Sequence, residues 1–199
     1  MPLAEDKDDH ELMAELALGD YNAFTVLYER YIKSLTHYGL KFTEDVNTVR
    51  DCLHDVFVSL WTRRENLIIT SSLKSYLIKS IRSSILQKVA RGRKTTSIAN
   101  DDDHAYAFNL SLSPEDAFLA DEKNRQVYES VQQLFLKLTP KQKEVIYLRY
   151  YHDLSFEEIA GQLELSVKAC YKLMHRAMSE LRQGTPNAFL LLLYLLSRP

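Results

Sequence analysis

At 199 residues, with 46% hydrophobic and 26% charged residues, the chain is long enough for one domain or two small ones and too apolar to be a disordered tail. Its formal net charge of -2 excludes a uniformly cationic nucleic-acid binder. That mean hides a segregation: residues 71–95 hold 7 basic and 0 acidic side chains, residues 166–199 hold 5 and 1, and residues 1–70 hold 7 and 13. Phosphates respond to charge within a Debye length of about 8–10 Å, so these two basic islands matter more than the total.

With only 5 Gly and 5 Pro, and runs of Leu, Lys, Glu, Ala and Arg between few turn signals, the chain is expected to be all-α. The start, MPLAEDKDDHEL, is acidic and lacks the basic-then-apolar order of a secretory signal, which points to a cytoplasmic protein. Cys52 and Cys170 each fall within an apolar helical stripe and read as small buried side chains, not as a disulfide or metal ligands.

The short acidic segment before Asp20 is expected to form a helix. Asp20 caps the next one, in which Phe24, Leu27, Tyr28, Tyr31, Ile32, Leu35 and Tyr38 recur at helical spacing up to Gly39. From about Glu44 another helix carries Val46, Val49, Cys52, Leu53, Val56, Phe57, Leu60 and Trp61 on one side, and Arg50, Asp51, His54 and Asp55 on the other. A further helix starts near Leu73, with Leu73, Tyr76, Leu77, Ile81, Ile85 and Val89 inward and the first basic island outward. Residues 10–94 form the first expected domain.

Residues 95–113, TTSIANDDDHAYAFNLSLS, lack periodicity and read as a linker; the acids Asp101 to Asp103 beside His104 read as solvated, because consecutive residues rarely converge on one ion. Ser113 followed by Pro114, Glu115 and Asp116 opens a second domain over residues 114–183, whose first helix carries Val127, Val131, Leu134, Phe135 and Leu138. Thr139 with Gln142 and Ser155 with Glu158 are capping boxes. Val145, Ile146, Leu148 and Tyr150 mark the buried side of the helix after the first box. From Leu154 to Arg182 two short helices joined by a tight turn make a helix-turn-helix. Its second helix, capped by Ser166, turns Val167, Cys170, Met174, Ala177 and Leu181 inward and Lys168, Ala169, Tyr171, Lys172, His175 and Arg176 outward.

A helix-turn-helix enters the major groove through the first turns of its second helix, which puts Lys168, Ala169, Tyr171 and Lys172 at bases or nearby phosphates and His175 and Arg176 at phosphates or the groove edge. The acid-free basic helix in the first domain supplies a second nucleic-acid contact. Enzymatic signals are missing: there is no glycine-rich phosphate loop, no paired-histidine metal motif and no nucleophile elbow. No catalytic residues, no metal site, no cofactor and no small-molecule substrate are expected.

The order AFTVLYERY, DCLHDVFVSLW, SYLIKSIRSSIL, a linker, and LTPKQKEVIYLRYYHDLSFEEIAGQLELSVKACYKLMHRAMSELR resembles an extracytoplasmic-function (ECF) sigma factor of bacterial RNA polymerase, over roughly residues 10–183. The resemblance implies promoter recognition and transcription initiation, with core RNA polymerase and promoter DNA as partners. It assigns core-polymerase binding to Asp51, His54 and Asp55 of region 2. Contact with the minus-ten element falls to Lys79, Arg82, Gln87, Lys88 and Arg91, and capture of a flipped non-template base to the loop from Asn66 to Ser72. Reading of the minus-thirty-five element falls to the helix-turn-helix of region 4. Relatives are commonly held inactive by an anti-sigma factor, often membrane-anchored, which is therefore a further implied partner. The alternative is a free-standing helix-turn-helix regulator with an N-terminal sensor or dimerisation domain.

The chain departs from the family where Arg82 is followed by Ser83, where Gln87 and Lys88 stand in the later positions of that helix, and where Ala169, Cys170 and Leu173 replace common residues. The promoter sequence is thus not implied. Glu164 occupies a turn position that is often Gly, so either its backbone is uncomfortable or the turn is altered. After Gly184 the tail carries 9 unbroken apolar residues, Ala188 to Leu196, about 14 Å as helix against a bilayer core of about 30 Å. It does not span a membrane; the readings left open are a cap on its own domain, a partner contact or a membrane-surface contact, with a role in holding the closed factor or its inhibitor expected.

Overall fold

Three aspartates punctuate the N-terminal half. Asp8 accepts from the Glu11 amide while Glu11 reaches back to the Asp8 amide, opening α1 (Asp9–Ala17) with a capping box. Asp20 accepts from the amides of Asn22 (2.7 Å) and Ala23 (3.4 Å) and opens α2 (Tyr21–Gly39). Asp45 accepts from Asn47 and opens α3 (Val46–Arg63). Ser72 does the same for α4 (Leu73–Lys94), its hydroxyl accepting from the Ser75 amide at 3.1 Å. Each side chain satisfies an amide that the helix itself leaves without a partner. The computed structural model describes residues 7–69, 71–94 (side chains up to residue 91), 107–110 and 132–182, and among these every regular element is a helix.

The chain divides into two units, Met1–Tyr106 and Ala107–Pro199. In the first, α2 packs against α1, α3 and α4, and α3 packs against α4. Leu12, Leu16, Leu27, Leu35, Tyr38, Leu60, Leu77, Ile78, Ile81 and Ile85 form its fully buried core. Gly39 makes the closest approach possible: a Cβ there would lie 2.7 Å from Val49 Cγ1 and 2.9 Å from Ile85 Cδ1, so α2, α3 and α4 meet where a side chain is missing. Gly19, at φ +88°, turns the chain between α1 and α2 in a conformation that favours glycine. Two expected core residues are on the surface instead: Tyr28 is 40% and Val46 49% exposed, because both line a groove between α2 and α3 rather than the centre of the bundle.

In the second unit the boxes at Thr139 and Ser155 form as their spacing predicts, opening α5 (Pro140–Tyr150) and α6 (Phe156–Leu163). α7 (Val167–Arg182) begins with the Ser166 hydroxyl accepting from the Ala169 amide at 3.2 Å. α5 packs on α6 and α7, and these two pack on each other. Residues 132–137 are helical, with Leu134, Phe135 and Leu138 buried. Phe108 and Leu110, in the segment read as linker, are also buried; the Phe108 ring meets Tyr147 at 5.8 Å. That contact explains a miss on α5. Tyr147 is inside and the expected Tyr150 is 38% exposed, since Phe108 covers the face that carries Tyr147. Burial, reinforced by Tyr151, pushes the Tyr147 phenol above its ordinary value.

The acids Asp101 to Asp103, the helix start at Ser113, Val127, Val131 and the apolar tail lie outside the described residues. Among the described residues, no helix is long and apolar enough to cross a membrane, and no three His, Cys, Asp or Glu side chains gather as a metal site.

Candidate functional site

Three faces carry the residues singled out from the sequence. The first is on α3, where Asp51, His54 and Asp55 are exposed one turn apart because Cys52, Leu53, Val56 and Phe57 take the buried side of the same helix. Next to them a groove of ≈ 650 Å³ runs between α2 and α3, with Phe24, Tyr28, Phe57 and Val58 among its walls and Arg50 and His54 at its edge. Phe24, Tyr28, Phe57 and Trp61 form a run of ring contacts with centroids 4.8–6.5 Å apart, edge-on except for the tilted Phe24–Tyr28 pair, which holds this largely apolar surface in one shape. The arrangement suits a partner helix bearing cations and a few apolar side chains.

The second face is on α4 and the loop before it. Lys79, Gln87 and Arg91 are exposed, and Arg82 and Lys88 are half-buried. Lys88 does not point away from the α3 face: its ammonium lies 3.5 Å from Asp51 and 3.7 Å from Asp55. The structure thus joins one residue assigned to DNA with two assigned to polymerase, a link between helices that no spacing within either helix reveals. All three side chains keep substantial solvent contact, so the pairing is worth little by itself.

In the loop, Asn66, Ile68, Ser71 and Ser72 are exposed. Behind it lies a pocket of ≈ 420 Å³ whose opposite wall is α1, through Asp9, His10 and Met13, with Leu67, Ile69, Ser71 and Ser72 on the loop side. Arg64 also lines it. The Arg64 guanidinium lies 4.6 Å from the Trp61 ring centroid and donates to the Trp61 carbonyl (2.9 Å), while its buried Nε has no hydrogen-bond partner. Asp9 is held in place by Arg30 (2.7 Å) and by the Tyr31 hydroxyl. Burial, with that bond to Asp9, keeps the Tyr31 phenol well above its ordinary range. The contribution of α1 to this pocket, through His10 and Met13, was missed in sequence: the capping box at Asp8 and Glu11 signals the helix but not its neighbour.

The third face is α7. Lys168, Tyr171, Lys172, His175 and Arg176 are exposed and Ala169 is half-buried, while Cys170, Met174, Ala177 and Leu181 point into the unit, as the periodicity predicts. Burial pushes the Cys170 thiol up, with a smaller push from Glu157. The turn keeps its shape at a local cost: Glu164 sits at φ 56°, ψ 42°, and its amide and that of Leu165 both return to the Ala160 carbonyl. Of the two readings the sequence left open, the uncomfortable backbone is the one adopted.

Two family models match the chain. Residues 27–95 match the family model described as Sigma-70 region 2, and residues 128–181 match that described as Sigma-70, region 4. The chain is 25% identical over 178 residues to an RNA polymerase sigma-H factor of Pseudomonas aeruginosa, covering 86% of this chain and 90% of that protein. It is also 25% identical over 165 residues to the ECF RNA polymerase sigma factor SigX of Bacillus subtilis, covering 80% and 82%. Solved structures that share the fold include two complexes. One is CnrH in complex with the cytosolic domain of CnrY (TM-score 0.54, 22% identity, 88% of this chain and 95% of that one). The other is the sigma factor RpoE of Bartonella quintana in complex with the anti-sigma factor NepR (TM-score 0.54, 18% identity, 80% and 94%).

Proposed function

Because this chain belongs to the sigma-70 family, as an ECF-type RNA polymerase sigma factor, we propose that its three faces divide the work of promoter recognition. The acids of α3, Asp51 and Asp55, with His54 and the adjoining groove, dock on core polymerase. Lys79, Arg82, Gln87, Lys88 and Arg91 of α4 follow the minus-ten strand. The pocket between α1 and the loop from Asn66 to Ser72 takes a base turned out of the stack: its walls are apolar enough for a base face, and His10, Ser71 and Ser72 offer polar groups to an edge. In the second unit, Lys168, Ala169, Tyr171, Lys172, His175 and Arg176 of α7 read the minus-thirty-five duplex. Members of this family initiate transcription without chemistry of their own, and phosphodiester synthesis belongs to the polymerase.

The observation that carries this reading is the clustering of cations on two helices of an acidic chain. α4 carries no acid, and the exposed side of α7 carries Lys168, Lys172, His175 and Arg176, with Glu180 half-buried near its end; Asp51 and Asp55, which Lys88 reaches from α4, stand beside an apolar groove on α3. A chain delivered to DNA by a large enzyme needs cations only where it touches phosphate, so a net charge of -2 is compatible with the role. The workplace is the cytoplasm, where polymerase and DNA are. RpoE of Bartonella quintana is bound by an anti-sigma factor, and a protein of that kind is the regulator proposed here.

Reconstitution tests this. The purified chain is mixed with core RNA polymerase and a randomised promoter library, and transcripts are sequenced. Specific initiation from sites sharing two spaced elements is expected, with Asp51→Lys and Asp55→Lys abolishing polymerase binding. Binding to DNA alone, with no transcription gained, sinks the reading in favour of a free-standing regulator.

A further inference from the structure

Among the outward residues of α7, Tyr171 is unlike its neighbours. Lys168, Lys172, His175 and Arg176 are polar or cationic, whereas Tyr171 puts a large ring into water at 51% exposure. A single exposed ring is common on a protein surface; what sets this one apart is its place among the duplex-facing residues of α7 together with its restraint.

The ring is also held in place. It stacks on Phe156, the first residue of α6, with centroids 4.0 Å apart and planes 32° from parallel. The Arg149 guanidinium lies 5.5 Å from the Phe156 ring and donates to the Leu154 carbonyl at 2.8 Å, which fixes it at the turn between α5 and α6. Phe156 of α6 restrains the exposed ring directly, and Arg149 of α5 braces Phe156. The rotamer freedom that a flexible ring would lose on binding is already given up in the free protein.

We propose that Tyr171 is a specificity-determining residue that reads the C5-methyl group of a thymine in the upstream promoter element, with Phe156 and Arg149 as positioning residues. The proposal rests on α7 being the duplex-reading helix. In the major groove the thymine methyl is the apolar feature that a base pair presents, and a neutral aromatic ring contacts it without leaving a base donor or acceptor unpaired. Lys168 and Lys172 flank the ring on the same exposed side and, by holding phosphates, set the register at which it meets the base edges.

Uracil keeps every hydrogen-bonding group of thymine and lacks only the methyl, so it isolates the contact. The full-length protein with core RNA polymerase first selects its promoter from a randomised library. Each thymine of the upstream element is then replaced singly by uracil, and transcription is measured. At one position uracil is expected to reduce output roughly three- to fivefold, the value of one buried methyl-sized group. Tyr171→Ala erases that thymine-to-uracil ratio while Tyr171→Phe keeps it. Phe156→Leu shrinks the ratio without abolishing transcription, which a purely structural role would not do. No thymine-to-uracil difference in the unmodified protein, or a difference that survives Tyr171→Ala, overturns the proposal. If no upstream element is selected at all, the assignment of α7 to the duplex fails first and the proposal falls with it.

Discussion

Replacing Glu164 by glycine should stabilise the second unit and leave the first untouched. Glu164 holds a left-handed conformation at φ 56°, ψ 42° in the turn between α6 and α7, and its side chain is exposed. For an L-residue other than glycine that conformation costs about 1–2 kcal/mol, from the crowding of Cβ against the following carbonyl. Glycine removes the crowding but gives the unfolded chain more freedom, an opposing effect of about 0.4–1 kcal/mol. The expected net gain is about 0.5–1 kcal/mol, or roughly a two- to fivefold rise in the folded-to-unfolded ratio. The two units need not unfold together, so a single global midpoint is the wrong measure. Trp61 is the sole tryptophan and lies on α3, so its fluorescence follows the first unit alone. Hydrogen exchange at the amides of Cys170, Met174 and Ala177 follows the second. Glu164→Gly should slow that exchange two- to fivefold with no change in the Trp61 midpoint in urea, and Glu164→Asn should fall between. Equal or faster exchange in the glycine variant would falsify the claim that this turn is strained.

At Gly39 the sign reverses. An added methyl lies within 3 Å of Val49 and Ile85, so Gly39→Ala should lower the Trp61 midpoint by an amount equivalent to about 1–2 kcal/mol; pairing it with Val49→Ala separates the clash with Val49 from a general loss of packing. Lys88→Ala should change stability by less than about 0.5 kcal/mol, because the ion pairs to Asp51 and Asp55 are solvent-exposed. In the holoenzyme the same substitution should weaken promoter binding and reduce its salt slope by about 1; an unchanged slope removes Lys88 from the DNA contact. Cys170 is fully buried and its thiol pushed up by burial. Its contribution is therefore intact below the ordinary thiol value of 9.0 and lost as pH rises above it, when the unfolded chain ionises first. Native protein at pH 8 should resist alkylation at Cys170 until denaturant is added, as read by mass spectrometry, and the alkaline loss of protection in α7 should be shallower in Cys170→Ala.

The features legible in the sequence are those that act over three or four residues. Asp20, Thr139 with Gln142, Ser155 with Glu158, and Ser166 all cap the helices their spacing predicts, because an N-cap bond joins residues only two or three apart. The inward stripe of α7 and the exposed α3 acids follow from helical period in the same way. At Glu164 the sequence leaves two readings open, a strained backbone or an altered turn, and the left-handed conformation of the folded chain selects the first.

Only tertiary structure decides which helix faces which. Tyr147 rather than Tyr150 is buried because Phe108, nearly forty residues earlier, covers it. The same kind of long-range choice sets α1 against the loop before α4, brings Lys88 to Asp51 and Asp55, and lays Tyr171 on Phe156. These contacts depend on how whole helices pack, a sum of many apolar contacts of similar energy. No local pattern ranks one such packing above another. Composition and periodicity therefore determine that this chain has helices with cationic outer faces. The assembly of those helices determines which cations are already paired, which ring is held rigid, and where a pocket opens.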